Sequence, residues 1–528
     1  MRREAKTFNL KEFSGEDTIS VFSSAMSCLR ENPGSTLVVD PGIYVITSEL
    51  ARKTQKAVMA GDYGQNPERV MFNRNFAFTK GICFDGLSDI TIEAPGAVLM
   101  VDGFMEVLSI QNCENITVKG LTIDHIRKPY TQGTITEQIG DDWIIELEQP
   151  VENGSPFTER YTFNTPDGEE ILLNCEKRRL LDSLHVLAHI EPSSACKKGL
   201  IFNTWHTFHY RPAILIENAK NVVLDDITIH SQPGMGIVGN RCHNVTLERL
   251  NVVPSEGQYL STNTDATHFT SMTGDLVLKD CVFKRQGDDF VNVHVFFQIV
   301  EKALGDNTYI VRETTPGGTH AQSLDYFDEG DTLELTSYNT LQVKDTYKVL
   351  SCERDYDNWC CCIVLDHALP SDTEGLMLAD ITRLPYLTVT GCLAENHFAR
   401  SVLVKTRGAL IENNTFIHTR GPAVEVAAES WWYEGVCPSN VVIRGNKMIN
   451  CGWRSDEASG ILVKADAPEA AGQTIKNILI ENNVIDAPGA QHGILCRNVE
   501  GLTIKNNTIN ISGEEVYITD CENTEYIK

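Results

Sequence analysis

Three carboxylates carry the densest chemistry in this chain. Asp265 closes Asn263-Thr264-Asp265, and Gln286-Gly287-Asp288-Asp289 brings Asp288 exactly one further repeat along, 23 residues later. Crowded carboxyl groups repel one another, which raises the pKa of at least one, so an acid can stay protonated near neutrality beside an ionised neighbour. Glycosidic hydrolysis needs such a division, one group protonating the leaving oxygen and one ionised. An inverting enzyme spaces the two roughly 6.5 to 9.5 Å apart to admit a water, a retaining one about 5 to 5.5 Å. Asp288 and Asp289 would face opposite sides of a regular strand. Gly287 is expected to relax a corner there so that both face out. A lone turn aspartate usually bonds to backbone; a trio flanked by His268 and by Asn292-Val293-His294 points to catalysis. A calcium site is the competing polar explanation, because hard oxygens suit that ion. The expectation is no metal and no cofactor.

Other side chains are candidates for holding a substrate. His268, Asn292 and His294 could orient a carboxylate or a hydroxyl, and Arg400, Lys405 and Arg407 follow further along the same wall. Between Ile411 and Ile443 the repeat lengthens to 32 residues, and the extra loop carries Trp431-Trp432-Tyr433-Glu434. Aromatic faces there would stack on the apolar face of a sugar ring. Glu425 and Glu434 strengthen that reading. Gly234-Met-Gly236-Ile-Val-Gly239 matches a dinucleotide fingerprint, but a strand pattern follows where a helix is required.

A solenoid must position these groups. Asn221-Val-Val-Leu-Asp-Asp-Ile-Thr-Ile229 recurs as Asn244-Val-Thr-Leu-Glu-Arg-Leu-Asn-Val252, 23 residues on, and again as Asn477-Ile-Leu-Ile-Glu-Asn-Asn-Val-Ile485 and Leu502-Thr-Ile-Lys-Asn-Asn-Thr-Ile509. A period in the low twenties with β-branched runs and Asn at the turn predicts an all-β fold, a right-handed parallel β-helix. Inward Val, Ile and Leu stack from coil to coil, and turn Asn side chains bond along the stack. The Leu-x-x-Leu-x-Leu pattern of leucine-rich repeats is missing. Asp17 or Thr18 caps an amphipathic segment with Ile19, Phe22, Met26 and Leu29, which reads as an N-terminal capping helix.

The period breaks twice, dividing the chain into a cap and first coils (1–126), a β-rich insertion (127–210), coils carrying the aspartates (211–294), a second insertion (295–385) and C-terminal coils (386–528). The insertions are expected to be barrel-like and to join in one small barrel beside the helix. The second, directly after Asp288-Asp289, is expected to wall the groove and select substrates.

Composition narrows the partners. A formal charge of −27 argues against nucleic acid, which needs a basic surface, and repels anionic polymers unless the groove is locally basic. No apolar run of about 18 residues exists to span a membrane. Met1-Arg-Arg-Glu-Ala-Lys-Thr-Phe8 lacks the apolar segment of a secretory signal. The sequence as it stands points to the cytoplasm, or to a secreted chain trimmed of its leader. Sixteen cysteines in so long a chain, three of them consecutive at Cys360-Cys361-Cys362, suit reduced core residues better than a disulfide framework. A homo-oligomer is compatible with all of this.

Asp265-Ala-Thr-His-Phe269 and Asp288-Asp289-Phe-Val-Asn-Val-His294, followed by a long β insertion, resemble glycoside hydrolase family 110. Glu412-Asn-Asn-Thr-Phe416 and Trp432-Tyr-Glu-Gly-Val436 with Asn440-Val-Val-Ile443 fit as well. The resemblance implies an inverting, exo-acting α-galactosidase on a β-helix with a barrel-like insertion, cleaving terminal α-1,3-linked galactose from oligosaccharides. It places the catalytic aspartates at Asp265, Asp288 and Asp289. The departure is Val295, where that family often has Gly, which bears on groove shape. A more distant likeness is to polygalacturonases, whose Gly-His-Gly and Arg-Ile-Lys elements have no clean counterpart beyond Val404-Lys405-Thr406. The alternatives are therefore a polygalacturonase-like hydrolase, a non-catalytic carbohydrate-binding β-helix, or a lyase using a basic residue with calcium.

Overall fold

Short β-branched runs, each broken by one residue that tolerates a left-handed backbone, wind into a parallel β-helix. The computed structural model describes residues 6–151, 157–313, 323–454 and 457–528. The N-terminal residues 1–5, part of the stretch read for a leader, lie outside it. One long face of eleven parallel strands runs from Lys80–Asp85 to Glu514–Thr519. The rest of the wall is a 22-stranded sheet in two parallel columns. Asp226, Arg249, Asp280, Asn413, Asn482 and Asn506, with φ between 52° and 57°, bend the chain from one column to the next.

Register makes the core continuous. Ile116, Val222, Val245, Leu276, Leu387, Ala409, Val441, Ile478 and Leu502 occupy one position on successive coils. Each is at most 1 % exposed. Burying side chains of this size contributes about 1.5 to 3 kcal/mol apiece. Asparagine ladders run alongside. At the surface Asn244 donates to Asn221 (3.0 Å) and Asn221 to Asn115 (2.8 Å). Inside, Asn414, Asn446, Asn483 and Asn507 bond in series at 2.9 to 3.0 Å. The helix Thr18–Glu31, capped by Asp17 accepting from the Ser20 amide, lays Phe22, Ala25, Met26 and Leu29 over the first coil.

The cysteines are free. Gly239 lies within the strand Ile237–Asn240, so no helix follows the glycine pattern and no phosphate cradle forms there.

The two insertions are separate bodies, not one barrel. Residues from Tyr130 to Trp205 form a seven-stranded antiparallel sheet around Ile135, Ile145, Phe163 and Phe202. Residues from Gln298 to Asp380 form a closed six-stranded barrel around Val311, Leu333, Tyr347, Ile363 and Leu378. Each has its own apolar core, so neither needs the other's strands to close it.

Candidate active site

The long parallel face carries the aspartates. Its register pairs Ile237 with Thr267, Thr267 with Val291 and Val291 with Val402. Asp265, Asp289 and Arg400 therefore share one position on three consecutive coils. The local coil takes 24 residues, not the 23 of the neighbouring repeat, so it is Asp289 that stacks on Asp265. Asp288 sits one residue earlier, at the corner. Gly287 there does not adopt a left-handed backbone. A Cβ on it would lie 2.0 Å from the Asn263 carbonyl oxygen, so glycine permits close approach of two coils rather than a special φ.

One oxygen from each of Asp265, Asp288 and Asp289 lies within 4.8 Å of the others. Their surroundings differ. Asp289 is 2 % exposed; its Oδ1 accepts from Arg400 Nε (2.8 Å) and the Arg400 amide (2.9 Å), and its Oδ2 from Arg400 Nη2 (2.7 Å). Burial raises its pKa, and Arg400 opposes that rise. Asp265 Oδ2 is bonded to His268 Nδ1 at 2.6 Å. Among the described residues Asp288 forms no ion pair, and it keeps some exposure to solvent. Burial, then the charges of Asp289 and Asp265, push its pKa well above the usual carboxylate range, against the smaller pull of Arg400 and Arg160. With both oxygens of Asp289 held by Arg400, the trio does not suit calcium, which wants six to eight oxygens.

Behind the trio lies a buried polar network. Arg400 Nη1 also donates to Glu429 Oε1 (3.1 Å). Lys405, fully buried, reaches Glu429 Oε2 (2.6 Å) and Glu434 Oε2 (2.5 Å). Asn292 Nδ2 donates to Glu434 Oε2 (3.1 Å). His268 Nε2 and His294 Nε2 stand 2.8 Å apart. Burial holds His294 down to about 4; it acts on His268 too, but the bond to Asp265 outweighs it and the His268 pKa rises. Glu425, 4 % exposed, is pushed up to about 7 by burial.

The structure thus gathers His268, Asn292, His294, Arg400, Lys405, Glu425 and Glu434 around the aspartates. Arg407 is a correction: it pairs with Glu334 of the barrel (2.9 and 2.6 Å) and holds that insertion to the helix. Trp431 and Trp432 are 63 % and 46 % exposed on the loop that delivers Glu434. Val295 is fully buried opposite Gly435, so the departure at this position is absorbed by packing.

Sequence reasoning missed Arg160, Phe208 and Glu429. A cleft of about 610 Å³ opens beside Gly287, lined by Arg160, Trp205, Phe208 and Phe398 among others. The Arg160 guanidinium lies 3.4 Å from the Phe208 ring centroid. The cleft wall comes from the first insertion, and no barrel residue lines it. The second insertion contributes nothing to this cleft; the barrel is anchored through Arg241 to Tyr326 and Asp328 and through Arg407 to Glu334. Glu429 had a signal, its two-residue alternation with Glu425 on the strand Val424–Glu429. Arg160 had none.

Comparison with known proteins bears on fold and kinship. A family described as a right-handed β-helix region matches residues 381–527, and the fold is a right-handed parallel β-helix. An alpha-1,3-galactosidase A of Shewanella woodyi is 24% identical over 509 residues, 90% of this chain and 80% of that protein. An alpha-1,3-galactosidase B of Phocaeicola vulgatus is 23% identical over 566 aligned positions, 97% of this chain and 92% of that protein. Among solved structures, a family 28 exopolygalacturonase of Yersinia enterocolitica aligns over 99% of this chain and 77% of its own, with a TM-score of 0.37 and 10% identity.

Proposed function

We propose that this protein is a glycoside hydrolase that removes terminal α-linked galactose, α-1,3-linked in the first instance, from glycans. The observation that carries the reading is a trio of carboxyls within 4.8 Å of one another whose surroundings separate their roles. Homologues named alpha-1,3-galactosidase along nearly the whole chain supply the sugar and the linkage.

In this reading Asp288, neutral in its crowded corner, gives its proton to the glycosidic oxygen as the bond to C1 breaks. Asp265, oriented by His268, and Asp289, held by Arg400, position a water and take its proton as it attacks C1. Asn292 and Glu434 lie where sugar hydroxyls would bond, and Trp431 and Trp432 rim the approach. Galacturonan is disfavoured. The cleft sets Arg160, Arg420 and Arg454 against Glu159, Glu170 and Glu191, so it offers an anionic polymer no net positive field.

Single displacement with inversion is the proposed course. One observation favours retention instead: oxygens within 4.8 Å are closer than the roughly 6.5 Å at which inverting pairs begin. NMR of the first-formed anomer separates the two, β-galactose marking inversion and α-galactose retention. The function itself is tested on α-1,3-, α-1,4- and α-1,6-linked galactosides with galacturonan as counter-substrate. Release of galactose from the first is the expected result; no release from any galactoside removes the proposal.

A further inference from the structure

The rings of His268 and His294 meet nearly at right angles, 82° apart, with their Nε2 atoms 2.8 Å from each other. Each Nδ1 already has a partner. His268 Nδ1 lies 2.6 Å from Asp265 Oδ2, and His294 Nδ1 lies 3.1 Å from the Val295 carbonyl oxygen. A carboxylate and a carbonyl accept and do not donate, so both Nδ1 atoms carry the hydrogen. A neutral imidazole has only one N–H, which leaves two Nε2 lone pairs aimed at one another. Either a proton on His268, paired with Asp265, or a metal ion can stand between them. Glu434 supplies a third donor: its Oε1 is 3.7 Å from His294 Nε2, and all three donor atoms fall within 4.8 Å of one another.

We infer that His268 Nε2, His294 Nε2 and Glu434 Oε1 form a binding site for a borderline divalent transition-metal ion of the zinc class. Two imidazoles and one carboxylate are the donor set such ions take, with a fourth position open. Every ligand also has the outer partner that metal ligands need. Asp265 orients His268, the Val295 carbonyl orients His294, and Lys405 and Asn292 hold the other oxygen of Glu434. Ligand atoms about 2.0 to 2.1 Å from a tetrahedral ion stand about 3.3 Å apart, so the rings need open by only about half an ångström. Charge agrees. Asp265, Asp289, Glu429 and Glu434 face Arg400 and Lys405, four carboxylates against two cations. Of the three ligands Glu434 lies nearest solvent, its side chain 15 % exposed. The proposal departs from the expectation of no metal and does not depend on the glycosidase reading.

The test uses the full chain without a histidine tag, stripped with chelator and dialysed, then titrated with Zn2+ by calorimetry and with Co2+ by visible absorption. One ion per chain is expected, with the intense visible band of a low-coordinate Co2+ site. Glu434→Gln and His294→Gln should each weaken Zn2+ binding by more than tenfold. Asp265→Asn, which removes only an outer partner, should weaken it by about 10- to 100-fold. Melting curves identify any variant that fails to fold, and Glu434→Gln, which leaves both imidazole rings in place, keeps the test decisive if His294→Gln does. Failure to bind one equivalent, or unchanged affinity in the folded variants, overturns the inference. So does nitrogen-15 NMR showing that titration with Zn2+ leaves a proton shared between the two rings.

Discussion

In the proposed mechanism, Asp288→Asn is the substitution that separates acid from base within the trio. Asp288 alone among the three has no cation in contact, and its carboxyl is crowded by Asp265 and Asp289, so its neutral form is the one the site stabilises. Asparagine reproduces that neutral shape but cannot release a proton. General acid assistance is worth about 10²- to 10⁴-fold, so turnover of an α-1,3-linked galactobiose should fall by that factor. A leaving group that needs no proton removes the requirement. On α-galactosyl fluoride the same variant should lose less than about tenfold, whereas Asp265→Asn and Asp289→Asn should lose about 10² or more on both substrates, their role being at the water. The pH profile follows with a definite sign. Asp288 must be protonated, so wild-type activity on the disaccharide falls as pH rises through its elevated pKa, and that limb should be absent with the fluoride. Initial rates on the two substrates across pH check all of this. Equal losses by Asp288→Asn on both substrates would refute the assignment.

Three further outcomes follow from the same geometry. Arg400→Met strips Asp289, 2 % exposed, of its bidentate partner, and an uncompensated buried charge costs about 3 to 5 kcal/mol, readable as a lowered denaturation midpoint at neutral pH. Glu425 has its pKa raised from 4.5 to about 7, so the folded state binds a proton that the unfolded state has released. Its stabilising contribution is complete below about pH 4.5 and is lost as pH rises through about 7. At 1.36 kcal/mol per pKa unit, Glu425→Gln should therefore stabilise by about 3 kcal/mol at pH 8.5 and by nothing at pH 4.5, compared by denaturant titration. Gly287→Ala would set a methyl 2.0 Å from the Asn263 carbonyl oxygen; an overpacked contact costs about 1 to 3 kcal/mol, and the corner must move with Asp288 on it. Activity should drop at least as far as stability suggests, while Gly489→Ala, where a Cβ meets open space on an ordinary backbone, leaves activity unchanged.

The solenoid was legible because its period is written in residue types. Asn221 and Asn244, found by repetition, are bonded neighbours in a ladder. The aspartates were legible for the same reason, although a 24-residue coil moves the stacking partner of Asp265 from Asp288 to Asp289. Sequence spacing cannot see that shift, because the extra residue sits in a corner and leaves the strand pattern intact. Arg407 misled for a related reason. Lys405 extends the strand Val402–Val404 beside His294, but Thr406 turns the corner, and Arg407 opens the strand Arg407–Glu412 of the other sheet, facing the barrel. Arg160 and Phe208 were invisible because an antiparallel insertion has no repeat to index them against the coil they meet.

A stack of rungs offers side chains only at multiples of about 4.8 Å along one column. Neither one rung nor two coincides with the middle of the roughly 6.5 to 9.5 Å span that admits a water between acid and base. Asp265 and Asp289, on adjacent rungs of one column, are therefore suited to share a task, and each is fixed by its own partner, His268 or Arg400. The proposed acid stands off that column, with one of its oxygens still within 4.8 Å of theirs. Asp288 does so by occupying the corner residue, which is reachable because Gly287 lets two coils touch. The corner also removes Asp288 from the line of cations behind the face, so its charge is the one left unmatched. Position and protonation state thus follow from a single structural choice, the placing of two aspartates in sequence across the end of a rung.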